Sequence, residues 1–374
     1  MLPEHPSVLV WEALAEVAGG QTVALNLVDE LDATFAFEFA VPGEGALSDA
    51  LRKRDLPYHV VPVGEYELGT KGIRDVFEFC RRTPVALKQM VSLVQEFDVL
   101  YANSTRVFPW AALVGQLTGT PVVWHWHNIL SDTLSRYVLE ATGQFPAVKS
   151  ILPVSGATAN QSSMLQQKMR VVYNGVDVDQ FSPGDVESTD EYVLGMVADL
   201  IPQKGHETAI EATERLQESI DVELRIAGHP REDTRKYERH LHELVAARGL
   251  SDHVTFLGYV DDTHEFYQTL SALLVPSTSF EACPMVVLEA YASGVPVVGS
   301  DLGGTPELIE ETTGAVFPAG DSNALAGATR SVLEADVDYR STCRQMALEQ
   351  FSMTEQASQV EAVLWDLVGG RHHS

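Results

Sequence analysis

A chain of 374 residues, 45% hydrophobic and 21% charged, has the make-up of a globular protein and the length of two domains rather than one. Its 53 acidic and 25 basic residues leave a net charge of −28, and no basic stripe is visible, which argues against nucleic acid as a partner and against electrostatic docking on an anionic membrane. Self-repulsion of that size is tolerable where concentrated salt shortens the Debye length, so the acidity reads as adaptation to a salt-rich cytoplasm, with an ordinary acidic protein as the alternative.

No apolar run approaches the roughly 20 residues that span a bilayer. The N-terminal MLPEHPSVLVWEALAEV has acids where a signal peptide carries basic residues, so the expected location is the cytoplasm, with peripheral contact at the membrane face left open. Cys80, Cys283 and Cys343 are odd in number and far apart, and read as reduced thiols rather than a disulfide framework or a zinc site.

In the first half, strand candidates SVLVW (7–11), TFAFEFA (34–40), YHVVPV (58–63), DVLYA (98–102), PVVWHWH (121–127), SILPVS (150–155) and MRVVY (169–173) alternate with helix candidates such as 20–31, 72–96 and 108–118. The second half repeats the pattern with strands 192–198, 222–228, 254–259, 272–277 and 295–300, and helices 206–219, 233–248, 262–270, 284–293 and 323–335. Val/Ile/Leu-rich runs alternating with helices indicate parallel sheets covered on both faces. The polar NGVDVDQFSPGDVESTDE (174–191) suits a linker. The expected architecture is α/β, two Rossmann-like doubly wound domains facing across a cleft, divided as 1–185, 186–350 and a closing segment 351–374. Ligands of such folds bind beyond the carboxyl ends of the strands.

Five stretches could carry chemistry. Gly19 and Gly20 in VAGGQTVALNL stand between strand and helix, as a phosphate-approaching turn or a plain tight turn. In WHWHN, His125 and His127 share a strand face and read as packed histidines or as an imidazole beside a reacting group; a third ligand for a metal is not evident. Lys204, before Gly205 at a strand-to-helix junction, could hold a phosphate or be a solvated charge. Gly303 and Gly304, with Thr305 as N-cap and Pro306 at the first helical position, form either an anion cradle or a helix start needing no ligand. In SFEACPMVVLEA, Pro284 suits the first helical turn, with Glu281 on the loop before it and Glu289 on the helix after it. Spacing alone says little, since Glu4/Glu12 and Glu30/Glu38 are separated identically. Position says more: two carboxylates beyond a strand end can accept hydrogen bonds from the hydroxyls of one sugar or ribose.

Taken together, VVYNGVDVDQFSP (171–183), PQKGHETAIEA (202–212) and LLVPSTSFEACPMVVLEAYASGVPVVGSDLGGTPELI (273–309) resemble family 4 of the retaining glycosyltransferases, and the likeness covers nearly the whole chain. The resemblance implies the GT-B fold and transfer of a sugar from a nucleotide-sugar donor to an acceptor hydroxyl on a glycan, a lipid-linked or a small molecule, with no metal or other cofactor. It implies a place for Glu281 near the donor sugar, for Glu289 on the ribose hydroxyls, for Lys204 on the diphosphate, for Gly19 and Gly20 near the phosphates, and for His127 (His125 in the alternative alignment) near the reacting sugar. Met285 and Val286 fall among the donor-binding positions, Gly303, Gly304 and Thr305 at their margin. FSMTEQASQVEAVLWDLV (351–368) resembles the family's closing helix.

This chain departs from the family pattern at Asp199, where an arginine for the diphosphate is usual; Arg231, after LRIAG, is the candidate substitute. A second departure is Pro284 where many relatives have glycine. The readings that compete with transfer are a nucleotide-sugar epimerase or hydrolase on the same architecture, and a nucleotide-sugar-binding protein that has lost catalysis.

Overall fold

The computed structural model describes residues 5–62, 84–130, 132–184, 192–231 and 234–371. Its first sheet is parallel, built from β1 (Ser7–Trp11), β2 (Ala36–Val41), β3 (Tyr58–Val60), β4 (Val99–Ala102), β5 (Val122–Trp126) and β6 (Val148–Pro153), in the order β3-β2-β1-β4-β5-β6. Residues alternate between two cores, as a strand covered on both faces requires. Leu9, Trp11, Leu100, Trp124 and Trp126 enter one core with the helix Phe108–Thr118, where Phe108 stacks on Trp124 at 4.7 Å. Val8, Val10, Val99, Tyr101 and Val123 enter the other, with Leu25, Val28 and Leu31 of the helix Gly19–Leu31.

The second sheet is also parallel: β7 (Tyr192–Val197), β8 (Val222–Ala227), β9 (Val254–Gly258), β10 (Ala272–Val275), β11 (Val297–Ser300) and β12 (Gly314–Phe317), in the order β12-β11-β10-β7-β8-β9. In both sheets the chain adds three strands outward on one side, then returns to the first strand's other side. The loops leaving β1 and β4, and those leaving β7 and β10, therefore run in opposite directions, which opens a crevice at the carboxyl ends of each pair.

The chain divides into two compact units, Met1–Asn174 with Met353–Ser374, and Gly175–Ser352. The second begins ahead of the expected 185/186 boundary because the first part of the polar segment is bound to it. Val176 N–H donates to Phe351 O at 2.7 Å, and the Arg344 guanidinium donates to the carbonyls of Val178 (2.8 Å), Phe181 (2.7 Å) and Ala292 (2.7 Å). The last helix, Met353–Arg371, belongs to the first unit and adds Ala357, Val360, Leu364 and Val368 to its core.

Several expectations need correction. Residues 169–173 are not a strand. Met169 makes a lone bridge to Ile151, and two further bonds, Arg170 N–H to Ile151 O and Val172 N–H to Pro153 O (both 3.0 Å), hold the segment along β6 without starting a ladder. β12 is absent from the expected strands because GAVF is too short an apolar run to stand out. The helices Ala46–Lys53, Thr133–Gly143 and Tyr339–Gln350 also went unassigned. Residues 72–83 of the expected helix 72–96 lie outside the described residues, as does Cys80; its remainder, 84–96, is helical and ends in the turn Val94–Glu96, and Cys283 and Cys343 are buried.

Gly205 shows why glycine follows Lys204. Its φ is +76°, and a Cβ there would stand 1.9 Å from the Pro276 carbonyl oxygen at the end of β10. Gly249 has a similar φ of +69° but open space around it. Gly249→Ala should cost about 1–2 kcal/mol, the left-handed penalty alone. Gly205→Ala should cost clearly more, because the β10 backbone must also move. Denaturant unfolding of both variants checks this, and equal costs would remove the close approach as the reason for Gly205.

Candidate functional site

In the second unit the crevice between β7 and β10 is bridged by an ion pair. Lys204 ends a short turn, Pro202–Lys204, that follows β7, and Glu281 lies on the loop that follows β10. Lys204 Nζ donates to Glu281 Oε2 at 3.0 Å, and Ser277 Oγ donates to Glu281 Oε1. Both charged side chains remain partly exposed, so the pair contributes only about 0–1 kcal/mol and the ammonium can exchange Glu281 for an arriving anion.

The Gly303–Gly304 turn packs behind Glu281. Gly304 N–H donates to Glu281 O at 2.8 Å, and at Gly303 (φ +64°) a Cβ would come within 2.2 Å of that same oxygen. Of the two readings of this turn, anion cradle or helix start needing no ligand, the Gly304 N–H favours the second, since it already serves the Glu281 carbonyl. Gly304, not Thr305, is the N-cap of the four-residue helix Thr305–Leu308, and Thr305 Oγ1 is buried without a hydrogen-bond partner. Pro284 is likewise the N-cap of the helix Met285–Ala292 rather than its first residue, so Met285 and Val286 form the first turn. Glu289, further along that helix, accepts a hydrogen bond on Oε2 from the Tyr267 hydroxyl at 2.8 Å. Burial raises the Glu289 pKa, partly opposed by that bond.

Asp199 and Arg231 form a pair of their own. Arg231 Nε and Nη2 both donate to Asp199 Oδ2, at 3.0 and 2.8 Å. The Asp199 carboxylate is thus neutralised locally instead of facing a ligand alone.

The first unit's crevice carries a buried chain of polar groups. Trp11 and Ala102 are paired across β1 and β4, so the next residues, Glu12 and Asn103, are neighbours at the strand ends. Asn103 Nδ2 donates to Glu12 Oε1 (2.5 Å) and to Gly20 O (2.9 Å), and Gln21 Nε2 donates to Glu12 Oε2 (3.0 Å). Asn103 Oδ1 lies 2.9 Å from His127 Nε2, beyond the end of β5. Gly20 sits against the His127 ring: a Cβ at Gly20 would touch its Cδ2 at 3.5 Å, while Gly19 stands in the open. Burial pushes Glu12 up to about 7 and His127 down to about 4.

His125 is fully buried, its ring 4.0 Å from that of His127, with Nδ1 2.8 Å from the Tyr101 hydroxyl. Its pKa is held well below the usual value by burial and then by His127. It is a packed histidine; His127 is the strand-end imidazole with part of its surface exposed.

The structure therefore joins Lys204 to Glu281, Gly20 to His127, and Asp199 to Arg231. Glu12, Gln21, Tyr101 and Asn103 escaped sequence reasoning, although Asn103 stands in the strand-end position that drew attention to His127. Among the described residues no three His, Cys, Asp or Glu side chains come together in a way that could hold a metal ion, and no helix is long and apolar enough to cross a membrane.

Two family models match consecutive parts of the chain: Glycosyltransferase Family 4 over residues 17–180 and Glycosyl transferases group 1 over residues 177–350. The chain is 30% identical to a phosphatidyl-myo-inositol mannosyltransferase of Mycobacterium leprae over 256 residues, covering 65% of this chain and 66% of that protein. It is 25% identical to the N-acetyl-alpha-D-glucosaminyl L-malate synthase of Bacillus anthracis over 335 residues, 83% of this chain and 84% of that one. Matches to the first curated relatives, at about 30% identity, span 55% and 66% of their length. Anabaena Alr3699/HepE in complex with UDP has the same fold, with a TM-score of 0.82 at 20% identity over 96% of this chain and all of that one.

The buried carboxyl of Glu12 gives a pH-dependent expectation. Its folded pKa, about 7, exceeds the usual 4.5. The native state therefore holds a proton that the unfolded chain has released, and stability is lost as pH rises through that window. Glutamine does not titrate. Glu12→Gln should gain on the wild type by on the order of 3 kcal/mol between pH 4.5 and 7. Denaturant unfolding at pH 5 and pH 8 measures the difference, and an equal gap at both would show that Glu12 is ionised throughout.

Proposed function

Because the chain belongs to glycosyltransferase family 4, we propose that it moves a sugar from a nucleotide-sugar donor to an acceptor hydroxyl on a glycan, a lipid-linked or a small molecule. The observation that carries this reading is the Lys204–Glu281 pair across the β7/β10 crevice, with Glu289 on the helix that follows. In the transfer the bond from the anomeric carbon to the diphosphate breaks, a bond to the acceptor oxygen forms, and that hydroxyl passes its proton to an oxygen of the departing diphosphate. Negative charge grows on the departing diphosphate, and a lysine held by one weak ion pair is placed to follow it.

Glu281, released by Lys204, accepts hydrogen bonds from the donor sugar. Glu289, with Oε2 held by Tyr267, accepts from the ribose through Oε1. The first-turn N–H groups of Met285 and Val286 and of Gly19 and Gly20 are unmatched within their helices and suit phosphate oxygens. Arg231, steadied by Asp199, supplies the second cation that the family usually draws from the Asp199 position. His127 meets the reacting sugar. The reaction retains the anomeric configuration and uses no metal, in keeping with a cation already provided by the chain.

Binding of a donor to the native state raises the melting temperature, so a thermal-shift panel of UDP-, GDP- and ADP-sugars at high salt identifies the base. The UDP-bound relative of like fold makes UDP-sugars the first to try. Glu289→Ala should abolish most of the shift; an unchanged shift would overturn the ribose assignment. Lys204→Ala should lower turnover about 10²-fold or more, as loss of a charge-stabilising donor does, and near-native kinetics would remove Lys204 from the mechanism. Nucleotide release that needs no acceptor would turn the reading towards hydrolysis, and proton NMR of the product's anomeric centre decides retention.

A further inference from the structure

Asn103 is bonded on both sides of its amide, and the partners dictate which way round it lies. Its Nδ2 end faces Glu12 Oε1 at 2.5 Å and the Gly20 carbonyl at 2.9 Å. A backbone carbonyl can only accept, whatever the charge on Glu12, so that end must be the NH2 group. Were the amide reversed, its oxygen would lie against the Gly20 oxygen. The Oδ1 end is then left facing His127 Nε2 at 2.9 Å, and an amide oxygen can only accept. Nε2 must carry the hydrogen.

A neutral imidazole with its proton on Nε2 has a lone pair on Nδ1, and Nδ1 is enclosed without a hydrogen-bond partner among the described residues. The ring is kept neutral by the same enclosure that lowers its pKa to about 4. Gly20 closes one side of it, and His125 lies 4.0 Å away on the other.

We infer that Asn103, itself held by Glu12 and the Gly20 carbonyl, is a positioning residue that locks His127 as the neutral Nε2–H tautomer, with that N–H committed to Asn103 and therefore withheld from service as a proton-donating acid. The role of His127 in transfer rests on the function proposed above; the tautomer does not. Glu12 thereby gains a purpose that its distance from any ligand role would hide. Its carboxylate accepts from two amides, Gln21 and Asn103, and so keeps the Asn103 NH2 turned inward.

The test is long-range ¹H–¹⁵N NMR on the full chain labelled with ¹⁵N-histidine, with the His127 signals identified by their loss in His127→Gln. The wild type should show the Nε2–H pattern alone, unchanged from pH 8 down to pH 5. Asn103→Ala removes the acceptor and should let the Nδ1–H form appear. A wild-type ring protonated on Nδ1 or charged at pH 7 would overturn the inference, and so would an Asn103→Ala variant that folds and still shows Nε2–H alone. Loss of the glycosyl-transfer reading in the donor panel, with the Nε2–H pattern intact, would strike the function and leave the lock standing.

Discussion

The candidate site residues of both units answer to one constraint of parallel sheets: both faces must be covered, so chemistry is pushed to the strand ends. Twice the chain reverses the side on which it adds strands, between β1 and β4 and between β7 and β10. The polar sets follow those strands, Glu12 after β1, Asn103 after β4, Lys204 after β7 and Glu281 after β10. Three of the five tryptophans, Trp11, Trp124 and Trp126, go below, into the core.

The four carboxylates near the strand ends are handled in four ways, and each leaves a different residue of reactivity. Glu12 is buried among amide donors, which supply hydrogen bonds but no charge, so its proton is held tightly. Glu281 has a lysine that can leave. Asp199 has the two-pronged grip of a guanidinium, which is firmer and better oriented. Glu289 has a tyrosine hydroxyl, enough to aim one oxygen without satisfying the other. A single sign of charge thus becomes four distinct chemical environments within one acidic chain.

The alternation of strands and helices was legible because parallel strands advertise themselves as dense apolar runs. Lys204, Glu281 and His127 were legible because they sit where such runs end. What could not be read is strand order, which depends on packing between segments far apart in the chain. Without it nothing links Glu12 to Asn103, and Glu12 looks like one more acid in a chain that has many. Residues 169–173 misled for the converse reason: MRVVY has strand composition, but beside β6 it forms two bonds and stops. At Thr305 the local rule for an N-cap lost to the demand that Gly304 donate to Glu281. Arg231 and Asp199, 32 positions apart, met only in the fold.

The helix Met353–Arg371 is made after the whole of Gly175–Ser352 and yet buries Ala357, Val360 and Leu364 in the unit begun before it. During synthesis the N-terminal sheet must therefore wait, its Val8–Tyr101 core face incompletely covered, while all of Gly175–Ser352 emerges and becomes able to fold on its own contacts. The order of completion is the reverse of the order of translation. The unit that holds Lys204 and Glu281 can be finished as soon as its own residues have emerged, whereas the one that holds His127 is sealed only when the helix beyond them follows.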